Sequence, residues 1–506
     1  MRKVLQFGVL ALVATATISG APVQPDLLLA HIRFLSSDEL QGRGNGTEGL
    51  ERAADYIGAQ FKAAGLEPAG AGGSFFQPFE LVAGLDIGDG NELSLTGAGR
   101  TVRLTLGRSY FPLAVTPTES QARPSVDLDN VPLVFAGYGI SAPRARYDDY
   151  DGLDVRDKVV LIFSHEPQET RRDSRLNGAQ PLRETTLLAK AEAARTRGAR
   201  ALMVVSDPAH AVDQADYTLF TIDADVEDHA IPVLRVARAD LAPLIQVWGL
   251  DRLAADIDRD LMPRSRQLAG ATADYSEHLS RKRRIVRNVV GILRGADDAR
   301  DEQAIVLGAH YDHVGLGGRF SSVPEQTGQI HNGADDNASG TAALIEIARN
   351  AVAERARFPR SLVFVAFAGE ERGLLGSAFY ASNPALPMSD TVAMVNLDMI
   401  GRSNGRVEVG GLEGAPALSQ DVEAAARIAG ITSRRGGPGA GRSDDAAFLE
   451  RRIPSLHFFT GFHDDYHRPT DDWEKIDAAG TARVATLALE LAARIAARTD
   501  RPRMIP

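Results

Sequence analysis

Histidine and acidic residues follow four short apolar segments in the C-terminal half of the chain. In chain order they are His310 and Asp312 after Ala304–Ala309, Glu370 and Glu371 after Ser361–Phe367, Asp398 after Ala393–Leu397, and Asp464, Asp465 and His467 after Pro454–Phe459. A further acidic pair, Asp335-Asp336, precedes a predicted helix that begins near Ser339. Because parallel strands present their carboxyl ends at one edge of a sheet, we expect these groups to lie together at that edge.

The donor atoms in this set narrow the chemistry that they could perform. The sequence contains no cysteine, so thiolate ligands, disulfides and a cysteine nucleophile are excluded. Imidazole nitrogens and carboxylate oxygens remain, and both suit zinc. A zinc pair needs one histidine and one terminal carboxylate for each ion, one carboxylate shared by both ions, and a hydroxide between them. The sequence supplies about this set of side chains.

The elements that would position these residues alternate between apolar strands and helices. The predicted strands are Ile285–Leu293, Ala304–Ala309, Ser361–Phe367, Ala393–Leu397 and Pro454–Phe459, and the predicted helices are Ser339–Ala353, Gly376–Ala381, Ser419–Ala429 and Ala478–Ala497. Strands that are apolar throughout are typical of a sheet covered on both faces. The pattern predicts the α/β class, with a mixed, mainly parallel sheet flanked by helices.

The N-terminal part of the chain shows helical periodicity. Residues 25–66 are predicted to be helical, with one amphipathic helix over Glu48–Ala64 that ends at Gly65. The glycine-rich segment Gly42–Gly46 is interpreted as a plain turn, because no strand precedes it and its spacing does not match a phosphate-binding loop.

The middle of the chain has a different pattern. Residues 75–125 alternate as half-buried strands do, and residues 130–255 are predicted to form a compact α/β module without clustered histidine or acidic pairs at its strand ends. The basic run Arg281–Arg284 is interpreted as a solvated linker at a domain boundary.

The length of the chain, its net charge and its first residues indicate what class of protein it is. A chain of 506 residues predicts more than one domain, and its net charge of −11 argues against a nucleic-acid-binding protein. Arg2 and Lys3, an apolar run over Val4–Ala16 and the small residues Ser19-Gly20-Ala21 predict a signal peptide over residues 1–21. The run is too short to cross a membrane, so we expect an exported, periplasmic or secreted protein that is not inserted in a membrane after the signal is removed.

Five ordered motifs give the chain a resemblance to a known family. They are Gly308–His313, Gly333–Gly340, Gly369–Gly373, Asn396–Met399 and Asp465–Pro469. Together they resemble the M28 family of zinc exopeptidases, and the module at 130–255 resembles the protease-associated domain that is often inserted in that family. The resemblance implies a peptidase domain of residues 22–85 and 281–506, with residues 86–280 as an insertion.

The resemblance also implies a set of metal ligands for two zinc ions. His310 and Asp398 would be terminal ligands of one ion, and Glu371 and His467 would be terminal ligands of the other. Asp336 would bridge the two. His463 is the alternative to His467, because the two histidines lie close together in the sequence.

Further roles follow from the same resemblance. Asp312 would accept a hydrogen bond from the outer nitrogen of His310. Glu370 would be the general base, taking a proton from the bridging water and passing it to the leaving amine. His313 and Asp335 are interpreted as neighbours of the metal ligands. His331, in a glycine-rich loop, is interpreted as a surface residue, and an approach to the site is the alternative.

The sequence departs from the family at one motif. Family members often carry Ser-Asp-His shortly before the last ligand, whereas this chain has Ser443-Asp444-Asp445. A tyrosine that steadies the oxyanion in some members has no counterpart in Gly436–Arg442, although Arg442 could offer a positive charge.

Several functions remain open from the sequence. The leading hypothesis is an aminopeptidase acting on peptides, in which Glu370, Asp398 or Asp444 meets the free amine. A carboxypeptidase of the same family is the alternative, and it would need a cation for the terminal carboxylate; the candidates are Arg402, Arg442 and Arg468. A glutaminyl cyclase and a non-catalytic, receptor-like binding protein are the remaining hypotheses. The sequence does not fix the side-chain preference or the oligomeric state.

Overall fold

The computed structural model covers most of the chain beyond the predicted signal peptide. It describes residues 22–114, 126–169, 171, 173–176, 182–210, 231–318, 320–323, 326, 328–436 and 441–505. The predicted signal peptide over residues 1–21 lies outside the described residues and stays a prediction, as does the part of the alternating region over residues 115–125.

The strands of the described residues carry the following labels. They are β1 (Glu67–Pro68), β2 (Phe76–Ile87), β3 (Glu92–Gly97), β4 (Arg100–Leu104), β5 (Tyr110–Ala114), β6 (Val126–Phe135), β7 (Ser141–Ala142), β8 (Tyr147–Asp148), β9 (Val159–Phe163), β10 (Ala201–Val205), β11 (Val233–Val236), β12 (Arg266–Glu277), β13 (Leu279–Leu293), β14 (Ala304–His310), β15 (Ser361–Phe367), β16 (Thr391–Leu397), β17 (Arg406–Gly410), β18 (Thr432–Arg435) and β19 (Ser455–Phe459).

The α-helices are labelled in the same way. They are α1 (Pro25–Leu35), α2 (Glu48–Ala64), α3 (Leu187–Thr196), α4 (Arg238–Trp248), α5 (Leu250–Asp260), α6 (Gly340–Ala353), α7 (Leu375–Ser382), α8 (Ser419–Ala429), α9 (Ala446–Leu449) and α10 (Ala478–Ala497). The bounds predicted for α2, α8 and α10 are confirmed. In α2, the Thr47 hydroxyl accepts a hydrogen bond from Leu50 N at 3.3 Å, and Gly65 ends the helix at a φ of 93°.

The larger sheet contains the strands that were predicted to carry the metal ligands. Its order is β1-β13-β15-β14-β16-β19-β17-β18, and β2 pairs with β13 beside this path. The four central strands β15, β14, β16 and β19 are parallel to one another. The neighbours β13 and β17 are antiparallel to β15 and β19. The sheet is therefore mixed, as predicted, and its parallel part is the centre.

Both faces of this sheet are buried, which explains why its strands are apolar throughout. On β14, Ile305 and Leu307 pack with α1, α2, α6 and α10, whereas Ala304 and Val306 belong to a second cluster that includes residues of α7 and α9. Every residue of β14, β15 and β16 is buried. The predicted α/β class, with helices on the two faces of the sheet, is confirmed.

A second sheet has eight strands in the order β4-β3-β12-β6-β9-β10-β11-β5. Strands β6, β9, β10 and β11 are parallel neighbours, and the others pair antiparallel. This sheet has its own hydrophobic clusters on its two faces. Its identity as a protease-associated domain stays a prediction.

The run Arg281–Arg284 is not a linker, so that interpretation was wrong. These residues lie within β13, which pairs with β2 from Leu279 opposite Ile87 to Val289 opposite Phe76. Arg283 also makes an ion pair with Glu80 on β2, at 2.8 Å. Backbone hydrogen bonds hold two antiparallel strands together and do not depend on side-chain polarity, so a basic run of sequence can form part of a strand.

Candidate metal centre

The ends of the central parallel strands bring the predicted site residues to one edge of the larger sheet. His310 is the last residue of β14, Glu370 and Glu371 follow β15, and Asp398 follows β16 directly. The loop after β19 carries His467, and Asp336 lies in an irregular turn before α6. Side chains separated by up to 157 positions in the sequence thus meet in one place.

Three of these side chains form a first group of donors around His310. The Nε2 atom of His310 lies 3.3 Å from Asp336 Oδ1 and 3.3 Å from Asp398 Oδ1. All three ligand atoms are within 4.8 Å of one another.

A second group forms on the other side of Asp336. His467 Nε2 lies 3.0 Å from Asp336 Oδ2 and 3.1 Å from Glu371 Oε2. The two oxygens of Asp336 therefore face different histidines, as a bridging carboxylate requires. The structure places His467 in this position, while His463 Nε2 lies 3.1 Å from Asp335 Oδ2 instead.

The spacing and the chemistry of these donors fit zinc. In a tetrahedral site with bonds of about 2.0–2.1 Å, neighbouring donor atoms are about 3.3 Å apart. The four distances from the imidazole nitrogens to their carboxylate neighbours, 3.0 to 3.3 Å, agree with that edge length. The Nδ1 atom of His467 lies 2.6 Å from the carbonyl oxygen of Phe320, so Nε2 is the nitrogen that faces Asp336, Glu371 and any cation bound between them.

Burial and mutual attraction shift the acid–base properties of the donors. Burial alone would raise the pKa of Asp336, but the imidazoles of His310 and His467 hold it well below the usual range. Burial would lower the pKa of His467, yet the carboxylates of Glu371 and Asp336 raise it to about 11. Since a metal binds the neutral imidazole, metal binding releases a proton from His467.

Glu370 lies beside the first donor group. Its Oε2 atom is 4.0 Å from His310 Nε2, and its carboxylate faces the cleft described below. Burial, followed by the negative charges of Glu371, Asp398 and Asp444, raises the pKa of Glu370 well above its usual value, against the opposing effect of His310. A carboxylate with a raised pKa next to a metal position has the properties of a general base.

The hydrogen bonds of Asp312 differ from the predicted one. The carbonyl oxygen of Asp312, not its carboxylate, is within hydrogen-bond distance of His310 Nδ1, at 3.1 Å, while Oδ1 is 3.8 Å away. The carboxylate instead accepts hydrogen bonds from the backbone N–H groups of Glu370 and Glu371, and from the Asn45 side chain at 2.6 Å. Asp312 therefore fixes the turn that aims Glu370 and Glu371, because the two oxygens of a carboxylate can accept several such bonds.

Other polar residues support the bridging position. Asp471 Oδ2 accepts hydrogen bonds from the backbone N–H groups of Asp335 and Asp336, at 2.9 and 3.1 Å. Arg402 donates to Asp471 Oδ1 and pairs with Asp465, so its guanidinium is occupied there. Asp335 accepts from His463 and from Gly401 N, and is a neighbour of the ligands, as predicted.

His331 was predicted to be a surface residue, and that was wrong. It is fully buried. Its ring nitrogens are satisfied there by hydrogen bonds with Ser321 Oγ at 2.8 Å and with the carbonyl oxygen of Gln329 at 2.9 Å. Ser321 in turn donates to the carbonyl oxygen of His467. His331 thus supports the backbone of a candidate ligand from behind.

Sequence reasoning missed the role of Arg43, which lies in the segment interpreted as a plain turn. Its buried guanidinium donates hydrogen bonds to the carbonyl oxygens of Leu35, Tyr311, Asn332 and Gly333. Tyr311 follows His310, and Gly333 begins the turn that leads to Asp336, so Arg43 ties two ligand-bearing loops together. Burial lowers the pKa of Arg43 to about 10, so the group keeps its charge at neutral pH. The only signal in the sequence is a lone arginine between glycines.

A cleft of about 380 Å³ opens onto the metal centre. Apart from the donors and Glu370, its wall includes Met399, Phe459, Phe462 and Tyr466, with Glu408, Arg442 and His457 as further polar side chains. The Tyr466 ring stacks on His467 with ring centroids 3.9 Å apart. Gly436–Arg442 contains no tyrosine, but Tyr466, next to His467 in the sequence, lines the cleft.

Asp445 occupies the position where family members often have histidine. It is fully buried, and its Oδ2 accepts a hydrogen bond from Gly441 N at 2.8 Å. Its Oδ1 lies 3.9 Å from Nδ1 of His457, which lines the cleft. A histidine is thus present on this wall, but it comes from β19.

None of the described helices is long and apolar enough to cross a membrane.

The C-terminal half of the chain is similar in sequence to known peptidases. Residues 288–492 match the model of Peptidase family M28. Aminopeptidase YwaD of Bacillus subtilis is 32% identical over 203 residues, which cover 38% of this chain and 40% of that protein. A probable zinc metalloprotease of Leptosphaeria maculans is 36% identical over 121 residues, which cover 24% of this chain and 26% of that protein. The chain therefore aligns with two fifths or less of the length of these relatives.

The solved structures share the fold over a longer stretch. An aminopeptidase from Aneurinibacillus sp. strain AM-1 superimposes with a TM-score of 0.57 and 22% identity, over 96% of this chain and 97% of that one. At this level of identity the likeness shows the fold alone.

The donor geometry predicts that Asp336→Asn will weaken zinc binding more than the substitution of any one donor that belongs to a single group. Asp336 contributes to both groups, and an amide is a poor replacement for a bridging carboxylate. If the affinity for zinc falls 100-fold, saturating zinc stabilises the variant by about 2.7 kcal/mol less than the unchanged protein. Thermal unfolding of the metal-free proteins with and without added zinc measures this difference.

A matched control is Asp500→Asn, because Asp500 is 60% exposed and pairs with Arg498 at the chain end. Its zinc-dependent shift in unfolding temperature should equal that of the unchanged protein. An equal shift in Asp336→Asn would contradict the bridging geometry.

Proposed function

Residues 288–492 match the model of peptidase family M28, and on that premise we propose that the protein is a zinc-dependent aminopeptidase. The observation that carries the proposal is a carboxylate, Asp336, shared between two donor groups directly beside Glu370. The number of ions, two, follows from that sharing and is part of the proposal.

The residues divide the work of peptide hydrolysis. Zinc, when bound, would lower the pKa of a water molecule and stabilise the negative charge that develops on the substrate carbonyl oxygen. Glu370 takes a proton from the water as the water oxygen bonds to the carbonyl carbon. It gives this proton to the leaving nitrogen as the carbon–nitrogen bond breaks. The buried turn held by Asp312 keeps the Glu370 carboxylate aimed at the cleft.

One carboxylate on the cleft wall could meet the free amine of a substrate. Besides the candidate ligands and Glu370, the wall carries the carboxylate of Glu408 and the cation Arg442. Glu408 is exposed and belongs to neither donor group, so it is free to meet an ammonium group. An ammonium group that reaches this carboxylate would gain a charge-assisted hydrogen bond.

One observation favours the alternative, a carboxypeptidase. Arg442 lines the cleft, whereas Arg402 is held by Asp465 and Asp471 and Arg468 is not part of the cleft wall. A terminal carboxylate would therefore meet Arg442. A receptor-like protein would bind peptides here without hydrolysing them.

Kinetics of two variants on two substrates can show whether the protein recognises the amino or the carboxyl end of a peptide. We expect hydrolysis of aminoacyl reporters but not of N-blocked dipeptides. Glu408→Gln should raise KM for the free-amine substrate by about 10- to 100-fold, as expected for the loss of a charged hydrogen bond, while Arg442→Gln should leave it within about threefold. Steady-state kinetics of both variants on both substrates is the measurement. Turnover of N-blocked substrates that is lost in Arg442→Gln would instead establish the carboxypeptidase.

Glu370→Gln tests the proposed base. The amide keeps the size of the side chain but cannot accept the proton, so kcat should fall by about 10²- to 10⁴-fold. Zinc content, measured by elemental analysis, should stay at that of the unchanged protein, because Glu370 is in neither donor group. A variant that retains full activity would rule out Glu370 as the base.

We also propose that the protein is exported to the periplasm or the medium. The support is the charged, apolar and small-residue pattern of residues 1–21. Intact-mass analysis of the exported chain should show a protein that lacks these residues, and a cytoplasmic full-length chain would refute the proposal.

A further inference from the structure

His313 contacts the metal centre although it belongs to none of the assigned ligand positions. Its Nδ1 atom lies 2.8 Å from Glu371 Oε1 and 3.8 Å from Asp336 Oδ2. These ligand atoms, together with that of His467, are all within 4.8 Å of one another. The second donor group therefore contains four side chains, whereas the first contains three.

The ring of His313 is held in this place from several sides. It is fully buried, and its plane is nearly perpendicular to that of His467, with ring centroids 5.4 Å apart. Gly333 allows this approach, because a Cβ atom at that position would be 2.5 Å from the ring carbon Cδ2. The backbone N–H of His313 donates to the carbonyl oxygen of Arg43 at 3.2 Å.

The polar contacts of the ring all point towards the centre. Nε2 of His313 is buried without a hydrogen-bond partner among the described residues, so Nδ1 is the nitrogen that interacts. Its two carboxylate neighbours, at 2.8 and 3.8 Å, lie on either side of the edge length of about 3.3 Å expected for a tetrahedral zinc site.

We propose that His313 is a fourth protein ligand of the ion held by His467, Glu371 and Asp336, and that the two metal positions are therefore unequal. The inference rests on the proposed zinc centre. The position with four protein ligands is closed, which is typical of structural zinc, and the position of His310, Asp336 and Asp398 keeps an open coordination site, as catalytic zinc does.

The placement of Glu370 agrees with this division. Glu370 Oε2 lies 4.0 Å from Nε2 of His310, and His310 belongs to the group with three ligands. The group that handles the proton thus stands at the open position, where a water molecule can bind. The closed position would hold Asp336 in place and fill first as zinc is added.

Counting imidazole ligands tests the proposal without measuring activity. The metal-free full-length protein is loaded with one equivalent of zinc, and X-ray absorption at the zinc edge gives the number of imidazoles bound. We expect two in the unchanged protein, from His313 and His467, and one in His313→Asn. Zinc titration should show a tight and a weak class of site in the unchanged protein, with the tight class weakened more than 100-fold in His313→Asn.

Asparagine is chosen because its amide N–H can still donate a hydrogen bond to Glu371 but does not replace an imidazole ligand. If His313 only orients Glu371 through a hydrogen bond, the imidazole count at one equivalent will be one in both proteins, and the proposal is overturned. His31→Asn is the matched control, since His31 contacts Tyr56 and Glu346, neither of which is in a donor group. It should keep two imidazoles.

Failure of this inference can be separated from failure of the proposed function. An unchanged protein that binds no zinc would refute the zinc centre itself. One that binds two ions, with a single imidazole on the first, refutes only the role of His313. If His313→Asn does not fold, the count in the unchanged protein alone decides the question.

Discussion

One carboxylate, that of Asp336, must face two histidines at once, and the surrounding structure is arranged to hold it there. His310 approaches one of its oxygens and His467 the other. Its position is fixed by backbone contacts on both sides, since Asp471 accepts from the N–H groups of Asp335 and Asp336 and Arg43 binds the carbonyl of Gly333. A small rotation of the Asp336 side chain would lengthen the distance from one of its oxygens to His310 or His467 and shorten the other.

The cost of assembling so many charges is offset by their mutual pairing. Three histidines and four carboxylates meet here, and each of their side chains is 14% exposed or less. Buried charges are tolerated only when they are paired or bind metal. The imidazoles and carboxylates compensate one another in the metal-free state, as the opposite pKa shifts of His467 and Asp336 indicate, and cations can replace the protons.

The sequence allowed the central elements to be predicted because burial on two faces leaves a clear pattern. β15, α8 and α10 begin and end where predicted. The inner strand β17 and the edge strand β18 were missed. In β18, Thr432–Arg435 is polar and lacks the apolar pattern of the central strands. Among the functional residues, those that bind through side chains at strand ends could be found by type and position. Arg43, His313 and His331 could not, because their roles depend on which loops lie next to them.

The hydrogen bonds of Arg43 also bear on how much of the chain is needed for a working centre. The segment that matches the family model begins at residue 288, yet the guanidinium that joins its loops comes from residue 43. During synthesis, Arg43 leaves the ribosome 268 residues before its acceptor Tyr311 and 290 residues before Gly333. The catalytic half is therefore completed only when the N-terminal segment packs against it. An excised fragment over 288–492 would leave three carbonyl oxygens, those of Tyr311, Asn332 and Gly333, without their donor.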